Sequence, residues 1–139
     1  MISFDELSVG QELFRSSRVV MQEDVTAYAE ASGDQNPLHQ DEAVARAAGF
    51  PGVVAHGMFT MGTLASALLD RAGDGVMLER LSAQFRSPVF VGETIVSGGS
   101  VRSLDPVSRT ATLDVWVRVE RDGTVEWPIR RGEAQIRFD

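Results

Sequence analysis

The apolar stretch Met58–Leu69, MFTMGTLASALL, limits the possible folds of this chain more than any other segment. It directly follows His56-Gly57, and apolar or small residues fall on every side of the helix that it predicts. A helix that is apolar all round is a buried one, and this one is too short to span a bilayer. A sheet must therefore wrap around the helix, which the polar run Asp70–Gly75 ends.

Most of the remaining chain predicts β-strands. Leu13–Met21 is rich in β-forming residues, and period-two alternation places the apolar residues of Leu81–Arg86 on one face, as it does those of residues 110–120. Asp122-Gly123 is a hairpin signal before a last strand that ends at Phe138. One buried helix followed by antiparallel strands indicates an α+β fold, with a curved sheet around a long central helix. The length of 139 residues predicts one domain over residues 1–139.

The composition excludes several classes of chemistry. The chain has no cysteine, which removes disulfides, thiolate metal sites and a cysteine nucleophile. All 13 basic residues are arginine, which removes lysine Schiff bases. The net charge of −7 argues against general nucleic-acid binding. The acidic start has no signal segment and no stretch is long enough to cross a bilayer, so we expect a cytoplasmic protein without a membrane partner.

The charge is unevenly distributed along the chain. Residues 1–79 carry 4 Arg against 12 acidic residues, whereas residues 80–139 carry 9 Arg against 8 acidic residues. The later arginines suit either a small phosphate-bearing ligand or the solvated faces of strands. The second interpretation is the more usual one for any single arginine.

A stiff loop, GDQNPLH, gathers polar side chains before the apolar helix. A predicted helix that begins near Glu23-Asp24 stops at Gly33, and Pro37 keeps the next residues from continuing it. Asp34 and His39 can therefore be aimed at one point, where a carboxylate and an imidazole share proton transfers. In the alternative interpretation, Asp34 makes an Asx turn and His39 caps the helix predicted over Asp41–Ala48.

Gly57 stands at the N-terminus of the apolar helix. Amide groups there point outward unpaired, so they can hold a carbonyl oxygen that gains negative charge in a transition state. A glycine also lets a ligand approach the backbone, although it is equally compatible with a tight turn into the helix. The acid–base pair, the amide donor and the apolar helix together suit addition of water to an activated double bond, or the reverse reaction.

Other chemistries lack the residues that they need. His39 and His56 are the only histidines and are not at helical spacing, so no metal site is expected. His56 is either catalytic or a structural hydrogen-bonding residue beside Gly57, and the second role is favoured. There is no G-x-S-x-G elbow, no G-x-G-x-x-G motif and no P-loop. The sequence predicts no cofactor.

Three separated segments resemble the MaoC-like dehydratases, the family of R-specific enoyl-CoA hydratases: ASGDQNPLH at 31–39, AHGM at 55–58 and FRSPVFVGET at 85–94. The resemblance implies a hot-dog fold that is usually paired into dimers. It also implies a substrate carried on coenzyme A or on an acyl carrier protein, an R-3-hydroxyacyl thioester product, and neither metal nor redox cofactor.

By position, Asp34 and His39 resemble the pair that activates water and protonates the α-carbon of an enoyl thioester. Asn36 resembles the residue that shapes this loop, and the Gly57 amide resembles the donor that polarises the thioester carbonyl. Some short-chain members carry a serine where this chain has Ala65, which leaves the preferred acyl chain undefined.

Four apolar residues are candidate pocket walls, with ordinary core packing as the alternative: Phe59, Met61, Leu64 and Met77.

Three alternative functions remain open at this level. Similar short chains form the catalytic half of heterodimeric acyl-carrier-protein dehydratases, in which a partner subunit completes the acyl tunnel. A hot-dog thioesterase would need an acidic residue on or beside the central helix, but Met58–Leu69 has none and Asp70 comes only at its end. A non-catalytic assembly subunit would not need both Asp34 and His39.

Overall fold

The computed structural model describes residues 2–139, in which five strands form one antiparallel sheet. The order across the sheet is β1-β3-β4-β5-β2, so the first two strands along the chain lie at its edges. The strands are β1 (Glu12–Val19), β2 (Val76–Ser82), β3 (Thr94–Asp105), β4 (Thr110–Arg121) and β5 (Thr124–Phe138).

Three α-helices and two short 3-10 turns accompany the sheet. The helices are α1 (Gln22–Ser32), α2 (Glu42–Ala47) and α3 (Gly57–Ala72), and the 3-10 turns are Phe4–Glu6 and Pro37–His39. The longest helix, α3, packs against β1, β2, β3 and β4. The predicted α+β class, with one long helix held against an antiparallel sheet, is confirmed. None of the helices described is long and apolar enough to cross a membrane.

Strand β4 follows the predicted alternation and supplies the centre of the core. Its inward side chains are all buried: Ala111, Leu113, Val115, Val117 and Val119. The predicted hairpin is also present, because Asp122 and Gly123 adopt φ angles of 53° and 76° between β4 and β5. Positive φ at both central residues matches the right-handed twist of the two strands.

Strand β3 has no clear alternation in the sequence because Gly98 and Gly99 lie at its centre. Gly98 pairs with Trp116 of β4, whose indole occupies the space that a side chain at Gly98 would need. A Cβ added at Gly99 would lie 2.7 Å from Cε1 of Phe14. The glycines are therefore required by aromatic side chains from both neighbouring strands.

Two predictions about buried elements are wrong. The strand predicted over Leu81–Arg86 ends at Ser82, and Phe85 makes only an isolated bridge with Ile129 and is 49% exposed. The helix α3 is buried on one side only, since Met58 and Leu69 are exposed. Gly62 and Ser66 of α3 are exposed as well. The helix continues through Asp70 and ends at Ala72.

Candidate active site

The loop after α1 is folded by two consecutive side-chain turns. Gly33 ends α1 in the left-handed conformation with φ of 81°. The Asp34 carboxylate then accepts the amide of Asn36 at 3.3 Å, and the Asn36 side chain accepts the amide of Leu38 at 3.0 Å. Asx turns of this kind stabilise a loop without regular structure. Asp34 thus makes the Asx turn of the alternative interpretation, and its second carboxylate oxygen stays free to act elsewhere.

His39 is fixed by the segment that leads into α3. Its Nδ1 donates to the carbonyl of Val54 at 2.5 Å, and the amide of Val54 donates to the carbonyl of Leu38 at 3.0 Å. The side chain of Gln22 on α1 also donates to the carbonyl of His39 at 3.1 Å. With Nδ1 as the donor, Nε2 is left as the acceptor of the neutral ring.

The free Nε2 of His39 faces Asp34. It lies 4.0 Å from Oδ2 of Asp34, and the two side chains are 14% and 56% exposed. This separation is too long for a direct hydrogen bond and suits a water molecule that contacts both atoms. The structure therefore brings together the carboxylate and imidazole that the sequence suggested as a pair.

His56 contacts both members of this pair. Its ring is 3% exposed, its Nε2 donates to the carbonyl of Asp34 at 3.1 Å, and it stacks on His39 with 3.7 Å between ring centroids. The ring of Tyr28 lies 4.9 Å from that of His56. These contacts are of the kind expected for a structural hydrogen-bonding residue, which is the interpretation favoured from the sequence.

The N-terminus of α3 lies in the same cleft as Asp34 and His39. His56 is the N-cap in an extended conformation, and Gly57 is the first helical residue. Within residues 2–139 the Gly57 amide donates to no acceptor. The ring of Phe85 closes over this glycine, since a Cβ added at Gly57 would lie 3.2 Å from the ring. The amide is thus an available donor beneath an aromatic cover.

Two adjoining clefts meet at this point and share His39, Gly57 and Phe85. The larger cleft, which we call the apolar cleft, has a volume of about 450 Å³. Its wall consists mostly of apolar residues, among them Val54, Ala55, Phe85, Pro88, Val89 and Pro128. The smaller cleft, of about 350 Å³, contains Asp34, His56 and Tyr28. A ligand in the apolar cleft would therefore lie beside the polar pair.

One wall of the apolar cleft is held in place by an ion pair. Arg121 on β4 donates two hydrogen bonds to the carboxylate of Glu93, at 2.7 and 2.8 Å, and a third to the carbonyl of Pro88 at 3.0 Å. The hydrogen bonds that Arg121 donates to the Glu93 carboxylate raise the pKa of Arg121. A bidentate pair of this kind fixes geometry as well as charge. It ties the FRSPVFVGET segment to the sheet.

Two predicted pocket residues lie elsewhere. Phe59 is buried in the core beneath the guanidinium of Arg18, which lies 4.9 Å from its ring centroid, and Met61 packs against the core. Neither lines either of the two clefts. Leu64 is buried and Met77 is exposed on β2. Core packing therefore accounts for Phe59, Met61 and Leu64, and none of the four candidates forms a wall of these clefts.

Sequence reasoning missed the two aromatic residues that frame the site. Phe85 lies in the segment for which the alternation predicts a strand, and Tyr28 lies within the helix predicted before Gly33 with no feature that marks it as functional. The available signal for Phe85 was its place in the FRSPVFVGET segment, where proline and glycine interrupt the alternation. No signal in the sequence connects Tyr28 to His56.

Asp34, His39 and His56 lie close enough together to be considered as ligands of a metal ion. The candidate ligand atoms of Asp34, His39 and His56 all lie within 4.8 Å of one another. However, Nδ1 of His39 and Nε2 of His56 are already hydrogen-bonded to backbone carbonyls, and Nδ1 of His56 is buried. Only Asp34 and Nε2 of His39 remain, whereas catalytic zinc takes three protein ligands. The arrangement suits proton transfer better.

Comparison with known proteins supports both the fold and the family. The chain is similar to a solved structure described as the (R)-hydratase from A. caviae involved in PHA biosynthesis, with a TM-score of 0.85 and 30% identity over 96% of this chain and 98% of that one. A sheet packed against one long helix, with this likeness, defines a hot-dog fold. The MaoC like domain model matches residues 6–126, and the chain belongs to that family.

Named relatives agree with this assignment. The chain is 29% identical to an (R)-specific enoyl-CoA hydratase of Rhodospirillum rubrum, over 91% of this chain and 92% of the relative. It is 40% identical over 90 residues to a mitochondrial 3-hydroxyacyl-acyl-carrier-protein dehydratase of Arabidopsis thaliana. That alignment covers 65% of this chain and 53% of the relative, so the chain spans about half the length of that protein.

Proposed function

We propose that this chain is a hydro-lyase that adds water to trans-2-enoyl thioesters, or removes it from R-3-hydroxyacyl thioesters, within a single domain over residues 1–139. Membership of the MaoC-like family and the names of the relatives support the reaction class. The observation that carries the proposal is the 4.0 Å separation of Asp34 Oδ2 and His39 Nε2 beside the free amide of Gly57.

The first step is to make the β-carbon electrophilic. The thioester carbonyl accepts a hydrogen bond from the Gly57 amide, while the acyl chain occupies the apolar cleft. The partial positive charge at the start of α3 adds to this interaction, because negative charge grows on the carbonyl oxygen as an enolate forms. A donor in a site shielded by Phe85 is stronger than one in water.

The second step is the addition of water. A water molecule held between Asp34 and His39 loses a proton to the pair as its oxygen bonds to the β-carbon. The pair then returns one proton to the α-carbon, so the enzyme ends in its starting state. Because Nδ1 of His39 donates to Val54, its Nε2 is oriented to accept from the water. The carboxylate of Asp34 stabilises the positive charge that forms on the imidazole.

The carrier and the assembly are further parts of the proposal. The substrate is attached to coenzyme A or to an acyl carrier protein, and two copies of the chain pair into a homodimer. The exposed face of α3 supports pairing, since apolar residues such as Met58 and Leu69 are left uncovered in one chain. The alternative is a heterodimer with a second subunit. Measuring the mass of the purified protein in solution would distinguish it from the homodimer.

A thioesterase is less well supported. Asp70 is the acidic residue of α3, and it lies 13 positions after Gly57 on an exposed turn. At 1.5 Å per residue, that is roughly 20 Å from the amide donor. No carboxylate of the helix is therefore near the proposed thioester carbon.

Crotonyl-CoA tests the proposal directly. Hydration removes the absorbance of the conjugated thioester without releasing free thiol, and the product should be R-3-hydroxybutyryl-CoA. We expect this absorbance to fall at enzyme-dependent rates. Release of free thiol as the sole reaction would replace the proposal with hydrolysis. No reaction over a panel of acyl-chain lengths on both carriers would support a non-catalytic role.

A further inference from the structure

Three arginines of the second half of the chain lie close together without a carboxylate partner among residues 2–139, although the side chain of one of them, Arg86, donates to Gln84 at 2.6 Å. Several other arginines pair with carboxylates, as Arg102 does with Asp114 at 2.6 Å and Arg121 with Glu93 at 2.7 Å. Among residues 2–139, Arg86, Arg130 and Arg131 form no ion pair. In a chain with a net charge of −7, such a cluster of like charges is unusual and needs an explanation.

These arginines line a third cleft of about 380 Å³, which we call the arginine cleft. Its residues are Arg86, Ser87, Glu126, Trp127, Arg130 and Arg131. Glu126 supplies the one carboxylate of this lining, against three guanidinium groups. The cleft shares Arg86 and Ser87 with the apolar cleft. A ligand that is long enough can therefore extend from one cleft into the other.

A β-bulge in β5 turns two of the arginines in the same direction. Val115 of β4 pairs with Gly132 and Val117 pairs with Ile129, so Arg130 and Arg131 together stand opposite one residue. In a regular strand, successive side chains would point to opposite faces. Here both are exposed, and Arg131 has a φ of 59°. Bulges re-aim side chains and often occur beside active sites.

Backbone pairing brings the third arginine to the same point. The amide of Arg86 donates to the carbonyl of Pro128 at 2.9 Å, and Phe85 bridges to Ile129. Arg86 is thereby held beside the bulge, although 44 positions separate it from Arg130 in the sequence. The neighbouring Ser87 hydroxyl has no hydrogen-bond partner among residues 2–139, so its rotation toward a ligand breaks no existing bond.

We propose that Arg86, Arg130 and Arg131 bind the phosphate of the phosphopantetheine arm that carries the acyl group. The planar fork of arginine donates two parallel hydrogen bonds to phosphate oxygens, so a cluster of three is suited to this group. This inference rests on the proposed function, because it assumes that the acyl part lies in the apolar cleft. The same phosphate is present in coenzyme A and on acyl carrier proteins, so one site serves both carriers.

Carriers of increasing length test the assignment. Crotonyl-pantetheine has no phosphate, crotonyl-phosphopantetheine has only the proposed one, and crotonyl-CoA adds the nucleotide phosphates. For Arg86→Gln, Arg130→Gln and Arg131→Gln, we expect kcat/KM to fall about ten- to hundredfold with both phosphorylated carriers, chiefly through KM. Turnover of crotonyl-pantetheine should be unchanged for Arg130→Gln and Arg131→Gln, because these two arginines line only the arginine cleft and not the apolar cleft. Arg80→Gln is the matched control, because Arg80 is exposed on β2, has no ion pair and lies outside the cleft.

Two results would overturn the inference: equal losses with all three carriers, or unchanged kinetics with crotonyl-phosphopantetheine, whether or not the kinetics with crotonyl-CoA change. Calorimetric binding of phosphopantetheine, which needs no turnover, separates this inference from the proposed function. If the wild type binds phosphopantetheine and the arginine variants bind it at least tenfold more weakly, the phosphate site stands even where no thioester reacts. If the wild type turns over crotonyl-pantetheine but the variants bind phosphopantetheine normally, only the phosphate site fails.

Discussion

The backbone groups at the two ends of α3 differ in their hydrogen-bond partners. Every helix leaves some amide groups at its N-terminus and some carbonyl groups at its C-terminus without a partner inside the helix. At the C-terminal end, the amide of Gly73 donates to the carbonyl of Leu69 at 2.9 Å and the amide of Ile2 to that of Ala72 at 3.5 Å. At the N-terminal end, the amide of Gly57 remains free and faces two clefts. Hydrogen bonds to the terminal backbone groups stabilise a helix, whereas an unpaired amide at the N-terminus can donate a hydrogen bond to a ligand.

The side chains around the two ends differ in the same way. Asp34 and His39 converge on the N-terminal end from a loop braced by Asn36 and by the buried ring of His56. At the other end, Asp70 is exposed on the surface of the helix. A carboxylate is therefore present at each end, but only one has an imidazole and an amide donor beside it. This difference can be tested with matched substitutions.

The largest expected effect on kcat comes from removing the carboxylate charge near the N-terminal end of α3, whereas removing the one at the C-terminal end should have little effect. Asp34→Asn should lower kcat with crotonyl-CoA by about 10²- to 10⁴-fold, because the activated water loses half of its acid–base pair. Asp70→Asn is the matched control and should leave kcat within about twofold, since an exposed surface substitution touches no ligand. Steady-state kinetics with circular dichroism of each variant checks the result. Equal losses in both variants would remove the distinction between the two ends.

A smaller effect is expected when the amide donor itself is removed. Gly57→Pro deletes this N–H at a helix position that tolerates proline, and His56 already has the extended backbone, with φ of −62° and ψ of 141°, that precedes proline. Gly57→Ala keeps the N–H but adds the same Cβ against Phe85. We expect Gly57→Pro to reduce kcat about a hundredfold below Gly57→Ala. Similar rates for the two variants would mean that this amide does not polarise the substrate.

The smallest expected effect on chemistry concerns the residue beneath the pair. His56→Leu fills most of the buried space but removes the hydrogen bond to the carbonyl of Asp34. The free energy of unfolding should fall by about 1–3 kcal/mol, while kcat falls less than about tenfold. Urea unfolding and steady-state kinetics measure the two quantities. Full stability with abolished turnover would place His56 in the chemistry and not in the support of the loop.

Local signals in the sequence predicted much of the fold and the position of the candidate pair. The alternation of β4, the Asp122-Gly123 hairpin and the end of α1 at Gly33 each depend on residues close together in the chain. The GDQNPLH loop is likewise determined by its own proline and Asx turns. Local chemistry was therefore sufficient to bring Asp34 near His39, which the resemblance to the family also implied.

Features that depend on a partner strand could not be predicted. The alternation of β3 is hidden because Gly98 accommodates Trp116 of β4, a contact that only the sheet register creates. The bulge that turns Arg130 and Arg131 together depends in the same way on the pairing of β5 with β4. Phe85 was misassigned because its segment leaves the strand to cover Gly57. The exposed side of α3 could not be predicted either, because a single sheet covers only one side of a helix.

A double-mutant cycle on Asp34 and His39 tests most directly whether the two side chains act together on one water. The values needed are kcat for Asp34→Asn, His39→Gln and the double variant with crotonyl-CoA. Groups that act as a unit are strongly non-additive, so we expect the double variant to be about as slow as the slower single variant. If the two losses multiply, each group acts independently and the shared water is wrong.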